Sequence, residues 1–556
     1  MRVLKIVFLA LVMFAAALPL AAGDQPSSLD QVVDHIISRE SALMTSLRQY
    51  SPLVETYIQN MRHDPTLGTA PAGDRYFLGR AELAKGVELR SLSEKTGKAH
   101  KLFGGIGSFF SFSVEYLPRG FLQMIYLDMN GFDRQHYNFD YVRREFLGEV
   151  RCLVFDVTPL AKSGKGRFLG RIWVEDQDYN IVRFNGAYTG SSNSKFYFHF
   201  DSWRVNTGPG LWLPAFIYSE ESDMPYALTK RLQFKSQTRL WGYNLGHAGQ
   251  EQELSRVLVE APTPIRDQSE VTNDPSPVQA QRSWDRQAED NVVDRLQRIG
   301  LLAPRGEVDK VLETVVNNLE VTNNLDIQPE VRCRVLLTST FESFSLGHTI
   351  VLSRGLIDVL PDEAALATMV AHELSHVVLG HRIDSQYAFF DRLLFDDKDT
   401  FRHFLFARNP GEEEAANQKA TEMLKNSPYK DQLANAGLFA QALDARAKDI
   451  PNLVSPHLGN RVPVNADLRN AAVQLDPKDP KRATQIAALP LGGRIKLDPW
   501  SDRLEMLKSK PSGSISEREK MPFEVTPFMP YLTRQSSAQT QAPVTAESKE
   551  PAKKPQ

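Results

Sequence analysis

The segment from Asp362 to Leu379 restricts the fold more than any other part of the sequence. It contains no glycine or proline before Gly380, and its many apolar residues predict a helix that is buried on most of its surface. Inside this apolar run lies the sequence His372-Glu373-Leu374-Ser375-His376. Ionisable side chains are expensive to bury without partners. The fold must therefore bring polar groups or a metal ion to this helix.

The spacing of these polar residues indicates a metal site. His372 and His376 are four residues apart, so they share one helix face with Cβ atoms about 5–6 Å apart. Both imidazoles can then reach one metal ion at about 2.0–2.1 Å. Glu373 would lie beside the open coordination position, where it can take a proton from a metal-bound water. The alternative is a charged helix face with two solvated histidines, which the apolar flanks disfavour.

A catalytic zinc site needs a third protein ligand. A histidine ten residues after His372 is absent because position 382 is arginine, and His381 is expected to face elsewhere. A carboxylate on a later helix is the other solution, and the acidic run Glu412-Glu413-Glu414 offers three candidates. The residues alone do not choose among them. An acidic helix start is also common simply because it complements the helix dipole.

A family resemblance chooses among these glutamates. The stretch SLGHTIVLSRGLIDVLPDEAALATMVAHELSHVVLGH is similar to the core of the HtpX-like and CAAX-prenyl-protease-like zinc metallopeptidases. The family's third ligand belongs to an E-x-x-A-D motif, which matches Glu413-Glu414-Ala415-Ala416-Asn417 here. The resemblance covers about residues 290–465. It implies one Zn²⁺ per chain, held by His372, His376 and Glu413, with Glu373 as the general base.

The sequence departs from this family at several positions. Asn417 replaces an aspartate that steadies a ligand histidine; asparagine can still accept a hydrogen bond, but without charge. Glu342-Ser343-Phe344 stands where the family has N-A-F. Ser455 replaces the histidine of a His-Pro pair, whereas Arg461 keeps the family spacing. Arg461 is therefore a candidate for stabilising the tetrahedral oxyanion, with a purely structural arginine as the alternative.

The resemblance implies an endopeptidase that hydrolyses exported or misfolded envelope proteins. The strand predicted at Thr349–Ser353, just before the metal helix, suggests that an extended protein or peptide substrate pairs with its exposed edge. Two other functions stay open. One is a zinc-stabilised chaperone or binding protein with little proteolysis. The other is a lipid or lipoprotein carrier that acts through the N-terminal half.

The N-terminal half has a different pattern. Residues 28–49 predict an amphipathic helix, and residues 54–246 predict a continuous antiparallel β-meander, hence a curved sheet or half-barrel. This combination weakly resembles the open barrels of periplasmic lipoprotein carriers, and an unrelated β-sandwich is the alternative. Aromatic residues that could line a lipid groove, or equally the core, are Trp173, Phe196, Phe198, Trp203 and Trp212. The fold class is α+β, with a mainly α-helical metallopeptidase domain that contains a small sheet.

The chain of 556 residues divides into six predicted parts. The basic, apolar and small-residue pattern of the first of them is typical of a cleaved signal peptide, with an uncleaved anchor as the alternative. The parts are the signal peptide at 1–23, a β-rich domain at 24–258, a linker at 259–284, the zinc metallopeptidase domain at 285–470, an extension at 471–511 and a disordered tail at 512–556.

Charge and cysteine content limit the partners. The formal net charge of −3 predicts no nucleic-acid partner. The signal peptide implies a periplasmic or secreted protein without a transmembrane segment after its removal, and an envelope protein is a candidate partner. Cys152 and Cys333 are too few for a cysteine zinc site. They can form one disulfide or remain buried thiols.

Overall fold

The computed structural model describes a large part of the chain, and all structural statements concern that part. It comprises residues 28–64, 68–84, 86–92, 118–189, 198–225, 231–243, 277–360, 362–382, 404–454, 457–461, 495–498, 503–506 and 530–535. The predicted signal peptide, Phe196 and Ser455 lie outside the described residues, as does most of the region predicted as extension and tail.

The N-terminal half is a helix followed by one large antiparallel sheet, as predicted. Helix α1 spans Ser28–Leu47. The strands are β1 (Leu53–Asp64), β2 (Gly68–Glu82), β3 (Glu88–Ser91), β4 (Tyr137–Leu147), β5 (Val150–Pro159), β6 (Phe168–Glu175), β7 (Ile181–Tyr188), β8 (His199–Gly208), β9 (Leu211–Pro225) and β10 (Arg231–Trp241). The described strands of this half form a single sheet, whereas a β-sandwich would need two.

The strand order departs from a continuous meander at one place. The order across the sheet is β3-β2-β1-β10-β9-β8-β7-β6-β5-β4, so β4 to β10 follow one another as predicted. The first strand instead lies inside the sheet, because β1 pairs antiparallel with both β2 and β10. The strands at the two edges, β3 and β4, do not pair with each other, and the sheet is open.

Both faces of the sheet are buried away from its edge strand β4, and they belong to two different cores. Side chains alternate between the faces of a strand. On one face, Val54 and Ile58 pack with α1 and with the short helix α2 (Pro118–Leu122). On the other face, Leu53 and Tyr57 belong to a cluster that continues into the C-terminal half. The C-terminal half therefore covers the face of the sheet that α1 leaves open.

The C-terminal half is mainly helical with a small sheet, as predicted. Its sheet has the order β11-β13-β12-β14, and a separate hairpin joins β15 to β16. Its helices are α3 (Pro277–Arg298), α4 (Glu307–Thr322), α5 (Arg354–Val359), α6 (Glu363–Val378), α7 (Pro410–Lys425), α8 (Leu433–Arg446) and α9 (Pro451–Val454). Its strands are β11 (Arg332–Leu336), β12 (Glu342–Leu346), β13 (Thr349–Ser353), β14 (Asn460–Arg461), β15 (Ile495–Asp498) and β16 (Arg503–Met506).

Three further sequence predictions meet the structure here. Helix α3 begins at Pro277, so residues 277–284, the end of the predicted linker, are helical. Cys152 and Cys333 are both free and buried, which leaves no disulfide between them. None of the helices in the described ranges combines the length and apolarity that a bilayer crossing requires.

The predicted disordered tail contains an ordered segment, residues 530–535, and the prediction is wrong there. Leu532 is 2% exposed, and its carbonyl accepts a hydrogen bond from the Glu149 N–H at 2.9 Å. Arg534 forms an ion pair with Glu175 at 2.8 Å. At Gly148, where φ is +66°, an added Cβ would lie 2.5 Å from the Leu532 nitrogen. The tail is polar in composition, but it contains one short ordered segment whose leucine is buried in the core.

We expect Leu532→Ala to destabilise the protein by about 2–5 kcal/mol, because it removes a buried leucine side chain from the core. The neighbouring Tyr531 is 63% exposed, and Tyr531→Ala should change stability by less than about 0.5 kcal/mol. Urea unfolding followed by tryptophan fluorescence would measure both. Equal midpoints for Leu532→Ala and the wild type would contradict the observed anchoring.

Candidate metal centre

Helix α6 carries the polar motif through the centre of the C-terminal half. Asp362 caps its start by accepting a hydrogen bond from the Ala365 N–H at 2.8 Å. The helix packs against α4, α7, α8 and β12. His372, Glu373 and His376 are 2%, 3% and 1% exposed. The apolar helix is therefore buried as the sequence predicts, and it takes three ionisable side chains with it.

Helix α7 brings a carboxylate to the same place. Asn409 caps α7 by accepting a hydrogen bond from the Glu412 N–H at 2.9 Å, and Pro410 follows in the first turn, where its missing N–H costs nothing. Glu413 therefore lies in the first turn of the helix. Farther along, Ala416 and Ala420 are buried, and side chains this small allow α7 to approach α6 closely.

The three predicted ligands converge. The Nε2 atoms of His372 and His376 are 3.3 Å apart. The Oε2 atom of Glu413 lies 3.3 Å from Nε2 of His372, and its Oε1 atom lies 3.3 Å from Nε2 of His376. In the described part of the chain, this is the one group of three or more His, Cys, Asp or Glu residues that could hold a metal ion. The structure brings neither Glu412 nor Glu414 into that group, and Glu414 is exposed with a hydrogen bond to Gln418.

The electrostatics of the three groups fit a cation site. Burial alone raises the pKa of Glu413, but hydrogen bonds from His372 and His376 outweigh it and lower the pKa to about 2. Burial alone lowers the pKa of His372, but the Glu413 hydrogen bond and the charges of Glu373 and Glu413 raise it above its usual 6.5. The negative charge of this buried cluster thus attracts a proton, and it would attract a metal ion in the same way.

The two histidines have different neighbours behind them. The Nδ1 atom of His376 lies 2.9 Å from the Nδ1 atom of His381, so the expectation that His381 faces elsewhere is wrong. With Nε2 of His376 directed at the metal position, its Nδ1–H donates to His381 and fixes the ring. The pKa of His381 is lowered by burial and by the proximity of His376, which favours a neutral acceptor.

His372 is held less firmly. Burial, Glu413 and Glu373 have the larger effects on the pKa of His372. A hydrogen bond with the Asn417 side chain makes a smaller contribution, which raises this pKa. However, the Nδ1 atom of His372 is buried without a hydrogen-bond partner within ordinary distance and angle among the described residues. An aspartate at position 417 could accept a charge-assisted hydrogen bond from this imidazole. The asparagine found there carries no charge and so offers His372 a weaker contact.

Ser343 is a residue of the site that the sequence reasoning did not assign. Its Oγ donates a hydrogen bond to Oε1 of Glu373 at 2.7 Å, and both residues are buried. Ser343 belongs to β12 and stands where the resembling family has alanine. The hydroxyl therefore adds an orienting contact to the carboxylate predicted as general base, and the noted departure from N-A-F was its only signal.

The prediction of a free strand edge at Thr349–Ser353 is wrong. That segment is β13, which lies between β11 and β12 and pairs with both. Periodicity located the strand, but it did not reveal the parallel partner earlier in the chain. Strand β12 lies between β13 and β14 beside the metal centre. Strand β14 pairs only with Glu342 and Ser343, so Phe344 to Leu346 have no second strand partner among the described residues.

Two arginines lie near this edge. The backbone of Arg461 pairs with Glu342, which places Arg461 on β14 next to the site; its side chain is outside the described features. Arg408, which the sequence reasoning missed, donates a hydrogen bond to the Ser345 carbonyl at 3.1 Å. Burial lowers the pKa of Arg408, although the charges of Glu373, Glu412 and Glu413 act in the opposite direction.

We expect Glu413→Ala to weaken metal binding by more than the about 10–100-fold typical of losing an outer-shell partner, because it removes one of three ligands. Glu412→Ala and Glu414→Ala are matched controls on the same helix turn and should bind metal as the wild type does. Equilibrium dialysis with metal analysis would measure all four proteins. Equal metal loss in all three variants would argue against Glu413 as the ligand.

In the metal-free protein, the His372–Glu413 pair should contribute most to folding stability between pH about 4.5 and about 6.5. The lowered pKa of Glu413 gives stability above its unfolded value of 4.5, and this is lost as the pH falls toward about 2. The raised pKa of His372 gives stability below 6.5, and this is lost as the pH rises through the folded value. Thermal unfolding of chelator-treated wild type and Glu413→Gln across this range would measure it. A stability difference that is largest in alkali would contradict this.

Comparison with known proteins relates part of the C-terminal half to a peptidase family. Residues 306–395 match Peptidase family M48, a span that includes α4, the small sheet to β13, and α6 with His372 and His376. No curated protein matches the chain. Among solved structures, a LolA superfamily protein from Nitrosomonas europaea is similar over 38% of this chain and 91% of its own, with 13% identity and a TM-score of 0.19, too low to argue for a shared fold. Residues 306–395 are thus similar to Peptidase family M48, a metallopeptidase family, as the resemblance implied.

Proposed function

We propose that the protein is a zinc-dependent endopeptidase with His372, His376 and Glu413 as ligands and Glu373 as general base. The observation that carries this proposal is the spacing of 3.3 Å between each imidazole nitrogen and its carboxylate oxygen, and between the two nitrogens. Ligand atoms about 2.0–2.1 Å from a tetrahedral ion lie about 3.3–3.4 Å from one another. Two imidazoles and a carboxylate favour zinc over magnesium or calcium, which prefer oxygen ligands.

A bound zinc ion would polarise the scissile carbonyl and make water a better nucleophile at neutral pH. The protein's own contribution is the placement of a base. Glu373 is buried beside the ligands on the same helix, and Ser343 holds its Oε1 at 2.7 Å. Oε2 can then accept the proton of the attacking water and pass it to the leaving amine. Burial excludes bulk water and strengthens these interactions.

The substrate is proposed to be a protein segment in extended form at the outer edge of β12. The part of this edge that β14 leaves unpaired begins at Phe344, next to Ser343, whose hydroxyl binds Glu373. Arg408 binds the Ser345 carbonyl there, so a peptide that pairs with the strand must displace the guanidinium. Arg461 follows on β14, and we assign it the oxyanion that develops on the scissile carbonyl. Main-chain pairing requires an unfolded or flexible substrate.

The signal-like pattern of residues 1–23 supports a periplasmic or secreted site of action. Exported or misfolded envelope proteins would then be the substrates, because they expose extended segments in that compartment. An envelope protein could also serve as a binding partner of the N-terminal sheet. No nucleic acid is expected to bind, since the net charge of −3 provides no basic attraction.

One observation favours a second function, a zinc-stabilised chaperone or binding protein with little proteolysis. Asn417, the neighbour of His372, carries no charge, and the buried Nδ1 of His372 has no hydrogen-bond partner within ordinary distance and angle among the described residues, so this histidine lacks a charged group that would steady it. A lipid carrier has no comparable support. Trp173, Trp203 and Trp212 are at most 2% exposed and belong to the core, and Phe198 packs against the core on the other face.

Glu373→Gln should reduce hydrolysis of an unfolded protein such as casein by about 10²–10⁴-fold, because the amide cannot accept the proton. Metal content should stay at the wild-type level, since Glu373 is not a ligand. Glu414→Gln, an exposed change on α7, is the control and should retain full activity. A zinc-loaded wild type that cleaves no unfolded protein, or an active Glu373→Gln, would favour the chaperone function.

A further inference from the structure

We propose that the N-terminal sheet positions the substrate-binding strands of the peptidase domain through two buried carboxylates, Glu55 and Asp74. This inference rests on the proposed peptidase function. Glu55 lies on β1, and Asp74 lies on the neighbouring strand β2. They are 1% and 8% exposed. Each binds a different segment of the C-terminal half, and these two segments lead into β12 and β14.

Glu55 holds the loop that enters β12. Its carboxylate accepts hydrogen bonds from the Ser339 N–H and the Ser339 hydroxyl, both at 2.6 Å. Arg239 on β10 completes the contact, because it donates to Glu55 at 3.3 Å and to the Ser339 hydroxyl at 3.2 Å. Ser339 lies only four residues before Ser343, the residue that orients Glu373. The sheet therefore holds the base of the strand that faces the catalytic carboxylate.

Asp74 holds the segment that enters β14. Its carboxylate accepts hydrogen bonds from the N–H groups of Asn452 and Leu453, at 3.0 and 2.9 Å, and from the Asn452 amide at 3.0 Å. These residues belong to α9, which precedes Arg461. The Tyr57 hydroxyl donates to the same carboxylate at 3.1 Å. An ionised aspartate is well suited to this role, because all of its described partners are donors.

The two attachments are linked to each other. Tyr76 on β2 donates from its hydroxyl to Glu55 at 2.7 Å, and its ring stacks on His457 with 4.8 Å between centroids. In the peptidase domain, Glu342 accepts a hydrogen bond from the Leu458 N–H at 3.0 Å. The entry to β12 and the entry to β14 are thus fixed to one another and to the same two strands of the N-terminal sheet.

Glu55 and Asp74 contact the segments that lead into the strands, and these are separate from the helices that carry the proposed metal ligands. The described contacts of Glu55 and Asp74 reach Ser339 and α9, but not α6 or α7, which carry the metal ligands. Loss of these contacts should therefore move the strand edge and Arg461 while the zinc ligands stay in place. Glu55 and Asp74 are positioning residues in this scheme. Small displacements of positioning groups can cost about 10²-fold in rate.

The test compares Glu55→Gln and Asp74→Asn with a matched control, Asp128→Asn, in the full chain. Asp128 is also a buried aspartate of the N-terminal half, 5% exposed, and accepts hydrogen bonds from Tyr137 and Arg167 within that half. We expect kcat on an unfolded protein substrate to fall about 10–100-fold in the first two variants. Zinc affinity should stay at the wild-type level in all three. The control should lose thermal stability but keep its kcat below its melting temperature.

Hydrogen exchange provides a readout that does not depend on activity. The amides of Ser339, Asn452, Leu453 and Leu458 should exchange faster in Glu55→Gln or Asp74→Asn, whereas the amides of α6 should not change. Unchanged exchange at these positions would overturn the positioning proposal, whether or not the wild type is active. A wild type that cleaves nothing would refute the proposed function separately. Faster exchange with wild-type kcat, or an equal loss of kcat in Asp128→Asn, would also overturn it.

Discussion

The contact between two imidazoles and one carboxylate determines the organisation of the C-terminal half. Helix α6 is apolar on nearly all sides and can be buried only if His372, Glu373 and His376 find partners inside the protein. Glu413 supplies the negative charge, and the small side chains of α7 let its carboxylate approach within 3.3 Å of both rings. The capped start of α7 and the His381 contact then serve to hold these groups in place.

The sequence predicted the parts of this site that depend on local spacing. A separation of four residues places His372 and His376 on one helix face whatever surrounds them. The motif around Glu413 selected the carboxylate that meets both imidazoles, although it lies on another helix. The free edge at Thr349–Ser353 was wrong because strand pairing is a long-range property, and β11 pairs with β13 from an earlier part of the chain. The Ser343 hydroxyl was missed for the same reason: only the packing of β12 against α6 brings it to Glu373.

The N-terminal half shows a similar division. Its strands and its helix were predictable from periodicity, but the place of β1 between β2 and β10 was not. Long buried runs such as that of β7 show that both faces of the sheet are covered. Composition failed at residues 530–535, because an average over a polar tail conceals a single leucine that enters the core. Disorder predicted from composition describes a whole region and not each short segment of it.

The covering of both faces explains why the two halves share a chain. The sheet is covered by α1 on one face and by the C-terminal half on the other, so that Trp173, Trp203 and Trp212 lie in the core. An interface held only by apolar contact would not need Glu55 and Asp74, since buried carboxylates cost stability unless every donor is well placed. We interpret their position at the entries to β12 and β14 as a means of fixing strand position and not as a source of stability.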